Sequence, residues 1–206
     1  EGLDLISVKG MSGRLAYHLD ASKECGACKL GKMQRSRRHA ASETVPVFGH
    51  LVGMDPAGKN NTSGMNGERY FSVINDVHTG YTYVHLHKTK TEGPQALQYF
   101  YNNVVPFKHL RCDNETKSIV ESSGLHNTLD FGIQPSAPYE QWQNGSCERR
   151  VGIVKDMART MIIAGEAPDT LWTYAVKAAA HILNRMPSSR LGNKTPIEAA
   201  TSKPPN

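Results

Sequence analysis

Short runs rich in β-branched and aromatic residues alternate along this chain with longer stretches whose apolar residues recur every three or four positions. That alternation restricts the fold to a sheet with helices packed on it. Tyr70 to Asp76 and Tyr81 to Leu86 are two such runs, separated by His78-Thr79-Gly80, and they read as an antiparallel hairpin. Ahead of them, Val47 to Met54 reads as a strand ending at Asp55, with Pro56-Ala57-Gly58-Lys59-Asn60-Asn61 as turn chemistry. Behind them, Glu92 to Asn103 carries Ala96, Leu97, Phe100 and Tyr101 at helical spacing, and Lys108 to Cys112 is a short strand delivering Asp113. Thr116 to Ser123 reads as a brief helix closed by Gly124, and Thr128 to Gln134 as a strand. Pro135-Ser136-Ala137-Pro138 then forms a rigid link to a long helix from about Gln143 to Ala164, and a second helix runs from Asp169, as its N-cap, to Arg185. Strand, hairpin, helix, strand, helix, strand, helix, helix describes an α/β domain with a mixed sheet flanked by helices.

Residues 1–45 differ in character, being dominated by Lys, Arg, Ser and the pair Cys25 and Cys28 before Pro46 opens the regular pattern. The expected organisation is an N-terminal module and basic linker over 1–45, one domain over 46–200 and a tail over 201–206. Glu1-Gly2-Leu3-Asp4 has neither an initiator methionine nor an apolar signal core, so a start further upstream is expected. No stretch approaches the roughly 18 apolar residues of a membrane span, and four cysteines are too few for a secreted disulfide scaffold, so an intracellular, reducing compartment is expected. The formal charge is +5, and its distribution says more than its size. Lys29, Lys32, Arg35, Arg37, Arg38 and His39 form one basic cluster, and Arg149, Arg150, Lys155 and Arg159 another. Each is either a solvated face or a contact for a polyanion.

Asp55 and Asp113 are both expected just past strand ends, where open α/β sheets present their chemistry, and Glu148 lies in the first turns of the long helix. Taken singly, such carboxylates cap helices or face water. Three arriving from three elements can converge on Mg²⁺, which takes hard oxygen ligands, and a two-metal site stabilises both the attacking and leaving oxygens of phosphoryl transfer. Glu148, Gly152, Lys155 and Arg159 recur at four, three and four residues, so they share one face of their helix. Gly152 leaves space there, and the two cations suit phosphates.

The contexts of these carboxylates carry a family signature. Met54-Asp55-Pro56, Gly67-Glu68-Arg69-Tyr70-Phe71, Arg111-Cys112-Asp113-Asn114 and Pro138-Tyr139-Glu140-Gln141-Trp142-Gln143-Asn144-Gly145-Ser146-Cys147-Glu148-Arg149 resemble the copia-type retrotransposon integrases. Met157-Ala158-Arg159-Thr160-Met161, Leu171-Trp172, Asn184-Arg185-Met186-Pro187 and Thr195-Pro196-Ile197-Glu198 extend the resemblance, which covers nearly all of residues 25 to 200.

The resemblance implies a ribonuclease H-like fold of the retroviral integrase core type, with Asp55, Asp113 and Glu148 as catalytic triad and ligands of two Mg²⁺ or Mn²⁺ ions. It implies trimming of element DNA ends and their transfer into target DNA in the nucleus, by a homo-oligomer made next to a reverse transcriptase in one polyprotein and carried in a cytoplasmic particle beforehand. Asn144, Gly152, Lys155, Arg159, Lys29, Lys32, Arg35, Arg37 and Arg38 are the DNA-binding candidates. Cys25-Gly26-Ala27-Cys28 has the spacing of half a tetrahedral zinc site. In the family such a pair closes a His-His-Cys-Cys module, but only His18 precedes it here, too near for that pattern, so the Zn²⁺ site is incomplete. Glu115 stands where the family commonly has glycine and Asn75 where aspartate is common. The rival readings are a catalytically inactive DNA-binding remnant and a plain ribonuclease H-like nuclease.

Overall fold

A computed structural model describes residues 45–135 and 145–205. Five strands, β1 (Leu51–Gly58), β2 (Tyr70–Asp76), β3 (Thr82–His87), β4 (His109–Cys112) and β5 (Gly132–Pro135), form one sheet in the order β3-β2-β1-β4-β5. β1, β2 and β3 are antiparallel neighbours, whereas β4 runs parallel to β1 and β5 parallel to β4. Helices α1 (Gly93–Asn103), α2 (Asn114–Ser123) and α3 (Leu125–Leu129) alternate with the later strands, and α4 (Gly145–Ala164), α5 (Trp172–Leu183) and α6 (Pro196–Thr201) follow. This is the mixed, helix-flanked α/β sheet that the order of elements predicts.

Period-two alternation sorts the strand residues onto two faces. Val52, Met54 and Ile74 join Ala96, Leu97 and Phe100 of α1 in one buried cluster. Ala57, Phe71 and Val73 join Val151, Val154 and Ala158 of α4, and Val176 and Ala179 of α5, in the other. The α4 stripe of Cys147, Val151, Val154 and Ala158 has steps of four, three and four, the spacing that holds one helical face on a sheet. Among the described residues no helix is long and apolar enough to cross a membrane.

Three elements depart from the sequence expectation, each for a local reason. The first strand does not run from Val47 to Met54 but from Leu51 to Gly58, with a turn over 47–50, so Asp55 lies within β1 instead of past its end. Pro56 is tolerated because of the side it faces. The Leu51 carbonyl accepts from Val77 N–H on the β2 side, so alternation turns Pro56 toward β4, whose pairing has already ended at Gly53 with Arg111. Thr128 and Leu129 belong to α3, not to a strand, and Asp130 at φ 55° ends that helix in the left-handed region, leaving β5 only Gly132–Pro135. Asp169 is not the N-cap of a long helix. Pro168 caps a 3-10 turn over Asp169–Leu171, and α5 begins at Trp172.

Asn184, just beyond α5, closes the free side of edge strand β3. Its Oδ1 accepts from Thr82 N–H at 2.7 Å, and its Nδ2 donates to Thr82 O at 2.8 Å, so the amide imitates a neighbouring strand. Both residues are buried. Asn184→Ala is therefore expected to lower unfolding stability by about 2–3 kcal/mol, since a donor and an acceptor lose their partner together. Urea denaturation should show a lower midpoint with an unchanged slope.

Candidate active site

The site begins with the face on which Asp55 sits. Gly53, Asp55 and Ala57 alternate onto the α4 side of β1, while Val52 and Met54 point to the opposite core. α4 comes down on this face at Cys147, whose Sγ donates to Val73 O at 3.7 Å. A Cβ added to Gly53 would stand 3.2 Å from Cys147 Cβ and 3.0 Å from Asn75 Oδ1, so the helix lies as close to the strand as a glycine permits. The next residue, Glu148, is thereby set beside the strand that carries Asp55, and it is exposed instead of joining the buried stripe.

Asp113 arrives from the neighbouring strand. β4 ends at Cys112, and Asp113 caps α2, its Oδ1 accepting from Thr116 N–H at 2.7 Å. The cap holds one carboxyl oxygen and leaves the second for another ligand. The Lys90–Glu115 pair beside it, at 2.6 Å, is exposed on both sides and adds little rigidity.

The electrostatics tie the three carboxylates together. Burial, then the charge of Glu148, then that of Asp113 push the Asp55 carboxyl from 3.8 up to about 6, while Lys155 acts in the opposite direction. Like charges gathered around a buried carboxyl are what a bound cation relieves. Among the described residues no group of three or more His, Cys, Asp or Glu side chains is gathered closely enough to hold a metal ion. The donor set nevertheless suits a hard divalent cation: three carboxylates from separate elements, one of them pushed up by burial and then by the charge of the other two.

Cys147 and Cys112 are buried, as expected of small hydrophobes at such positions. Burial pushes the Cys112 thiol up to about 12 and that of Cys147 well above its ordinary range, so neither supplies a thiolate.

Further along α4, Lys155 and Arg159 are exposed and Gly152 is half-buried, on the face predicted for them. The two cations line a groove of about 380 Å³ with Asn60, Asn61, Thr62, Asp169 and Trp172. By its helical spacing with Val176, Ala179 and Leu183, Trp172 reads as a core residue. It does pack on Phe71, with ring centroids 6.0 Å apart, but it is only half-buried, and its Nε1 donates to Thr62 O at 3.0 Å on the groove wall. Gly53 and the Asn60–Thr62 wall were also missed. A glycine inside a strand two residues before a candidate ligand was the available signal for Gly53. Asn144, Cys25, Cys28, Lys29, Lys32, Arg35, Arg37 and Arg38 lie outside the described residues, as does the stretch 138–143.

No family model matches the chain. Among curated proteins it is similar to the Retrovirus-related Pol polyprotein from transposon TNT 1-94 of Nicotiana tabacum, 27% identical over 213 residues, covering 98% of this chain and 16% of that protein. The Pol polyprotein from transposon RE2 of Arabidopsis thaliana is 27% identical over 145 residues, covering 67% of this chain and 10% of that protein. The chain thus spans a minor part of the relatives it matches, and these homologues are copia-type Pol polyproteins. Among solved structures, one chain of the simian T-cell lymphotropic virus intasome in complex with PP2A regulatory subunit B56 gamma has a TM-score of 0.67 at 17% identity, covering 87% of this chain and 64% of that one. The HTLV-2 integrase catalytic core domain in complex with magnesium gives 0.56 at 16% identity, covering 75% and 98%. The fold is therefore that of retroviral integrase catalytic cores, ribonuclease H-like.

Proposed function

We propose that the domain starting near residue 46 is the catalytic core of a retrotransposon integrase, trimming the 3′ ends of element DNA and joining them to target DNA. The observation that carries this reading is the setting of Asp55, where burial, then the charges of Glu148 and Asp113, push its carboxyl up to about 6. In the proposal these three side chains hold two Mg²⁺ or Mn²⁺ ions, which when bound supply activation of the attacking oxygen and charge relief at the leaving one. Asp55, fixed in the sheet, and Asp113, fixed by its cap, supply rigid oxygens, and Glu148 supplies an adjustable one from the exposed side of α4. The two reactions differ only in the nucleophile that attacks phosphorus in line, water in trimming and the freed 3′-hydroxyl in joining.

Lys155 and Arg159 hold phosphates of the DNA end in the groove beside this centre, with Gly152 leaving room for the strand. Lys155 acts on both places, because its charge reaches Asp55 while its side chain lines the groove. Further copies of the chain on two DNA ends and on target DNA are the partners proposed. Cys25 and Cys28 are proposed as half of a zinc module.

Lys155→Glu with Arg159→Glu is expected to weaken binding of an element-end duplex at least about tenfold at moderate salt, and to make the slope of log K against log salt shallower by roughly 2. Fluorescence anisotropy across a salt series reads both quantities. An unchanged slope would assign this face to solvent.

A further inference from the structure

Arg150 lies two residues beyond Glu148 and therefore leaves α4 on nearly the opposite side of the helix. It meets Arg190, which comes from the 3-10 turn Ser189–Leu191. A Cβ placed on Gly80, in the turn between β2 and β3, would stand 3.1 Å from Nη2 of Arg150 and 3.1 Å from Nη2 of Arg190. The two nitrogens are thus within about 6 Å of each other, above a residue with no side chain. Gly80 is also at φ 73°, so other residues are disfavoured there on two counts. One nitrogen of Arg190, Nη1, donates to Val77 O at 2.9 Å and anchors its guanidinium.

Among the described residues neither arginine has an ion-pair partner. The ion pairs between described residues are Lys90 with Glu115 and Lys117 with Glu121, both elsewhere. Arg150 is half-buried, and its Nη2 lies beside that of Arg190 over Gly80. Two guanidiniums held together with one of them partly desolvated are unfavourable unless an anion joins them.

We propose that Arg150 and Arg190 form a phosphate-binding fork over Gly80, separate from the Asp55 centre, which takes a phosphodiester of duplex DNA. A phosphodiester fits because it offers two non-bridging oxygens, one for each guanidinium, in the planar geometry that arginine recognises. Since Arg150 and Glu148 leave α4 on opposite sides, the DNA held here runs past the domain and is not the end being cut. The assignment to DNA rests on the integrase reading, whereas the fork itself rests only on the two arginines and the glycine.

The test uses Arg190→Gln, because Arg190 is exposed and its loss leaves the fold intact, with Arg190→Lys as partial rescue and Lys203→Gln as control. In the first arm, inorganic phosphate replaces chloride at equal ionic strength. It should raise the melting temperature of the unaltered chain and of Lys203→Gln, but not of Arg190→Gln. In the second arm, non-specific duplex binding is followed across a salt series, and the slope for Arg190→Gln should fall by about 0.9, the value of one lost phosphate contact. No difference between Arg190→Gln and the unaltered chain in either arm overturns the fork. A phosphate effect without a slope change overturns its assignment to DNA. Both arms responding in a chain that shows no strand transfer would leave the fork standing and count against the integrase reading alone.

Discussion

Glu148→Gln is expected to reduce strand transfer by at least about a thousandfold, equivalent to ~4 kcal/mol of lost transition-state stabilisation, while leaving the fold unchanged. The side chain is exposed and outside the buried stripe of α4, so the amide has nothing to disrupt except the charge it removes. An assay with element-end oligonucleotides and Mg²⁺ or Mn²⁺ reads the loss, and the salt dependence of DNA binding, carried by Lys155 and Arg159, should be retained. Asp55→Asn should be equally inactive, yet more stable than the unaltered chain. The folded pKa of Asp55, about 6, lies above its ordinary 3.8, so the folded state holds the proton more tightly than the unfolded state does. Stability from this group is full below 3.8 and is lost as pH rises through 6. The asparagine should therefore gain about 2 kcal/mol at pH 7.5, solvent access to the half-buried group removing part of the full value, and nothing below pH 3.8. Urea denaturation at the two pH values checks the sign. An equal gain at both would show that the folded chain does not hold the Asp55 carboxyl above its ordinary range.

The second large effect is expected at Gly53, which touches no substrate. Valine there places a Cβ against Cys147 and Asn75 at 3.0–3.2 Å and adds two methyl groups beyond it, so the start of α4 must lift from the sheet. Overpacking of this kind lowers stability by about 1–3 kcal/mol. Because Glu148 follows Cys147 directly, the shift also separates it from Asp55, and a displacement of about 1 Å lowers a positioned reaction by roughly a hundredfold. A carboxyl titration followed by NMR distinguishes this from simple unfolding. In a folded Gly53→Val chain the Asp55 pKa should fall back toward its ordinary value as the lifted helix lessens its burial and withdraws Glu148. A Gly53→Val enzyme with unaltered turnover would show that the contact between α4 and β1 does not set the site.

The fold was legible because its signals are periodic. Cys147, Val151, Val154 and Ala158 mark their helix by spacing alone, and the β2–β3 hairpin is marked by its β-branched and aromatic residues with Gly80 in the turn. The path of β1 was not legible, because Pro56 is acceptable in a strand only where the next strand has ended, and that depends on how far β4 reaches. The three carboxylates stand out as candidates through their local contexts. Their coupling was not, since it requires knowing that Asp55 points toward α4 and that Gly53 admits the helix. Asn184 shows the same limit: its place in a motif was visible, but its pairing with Thr82, 102 residues earlier, belongs to the tertiary structure. Trp172 fits both readings in part, packed on Phe71 inside and lining the groove outside.

Asp55, Asp113 and Glu148 are proposed as the ligands of divalent cations, and anomalous diffraction from crystals of the chain soaked in Mn²⁺ above pH 7, with Glu148→Gln crystals as the comparison, tests this. Anomalous density bounded by the three carboxylates is expected, with Asp113 using the oxygen its Thr116 contact leaves over, and weaker density in Glu148→Gln. Fully occupied manganese elsewhere on the chain, with no density between Asp55 and Glu148, would contradict it.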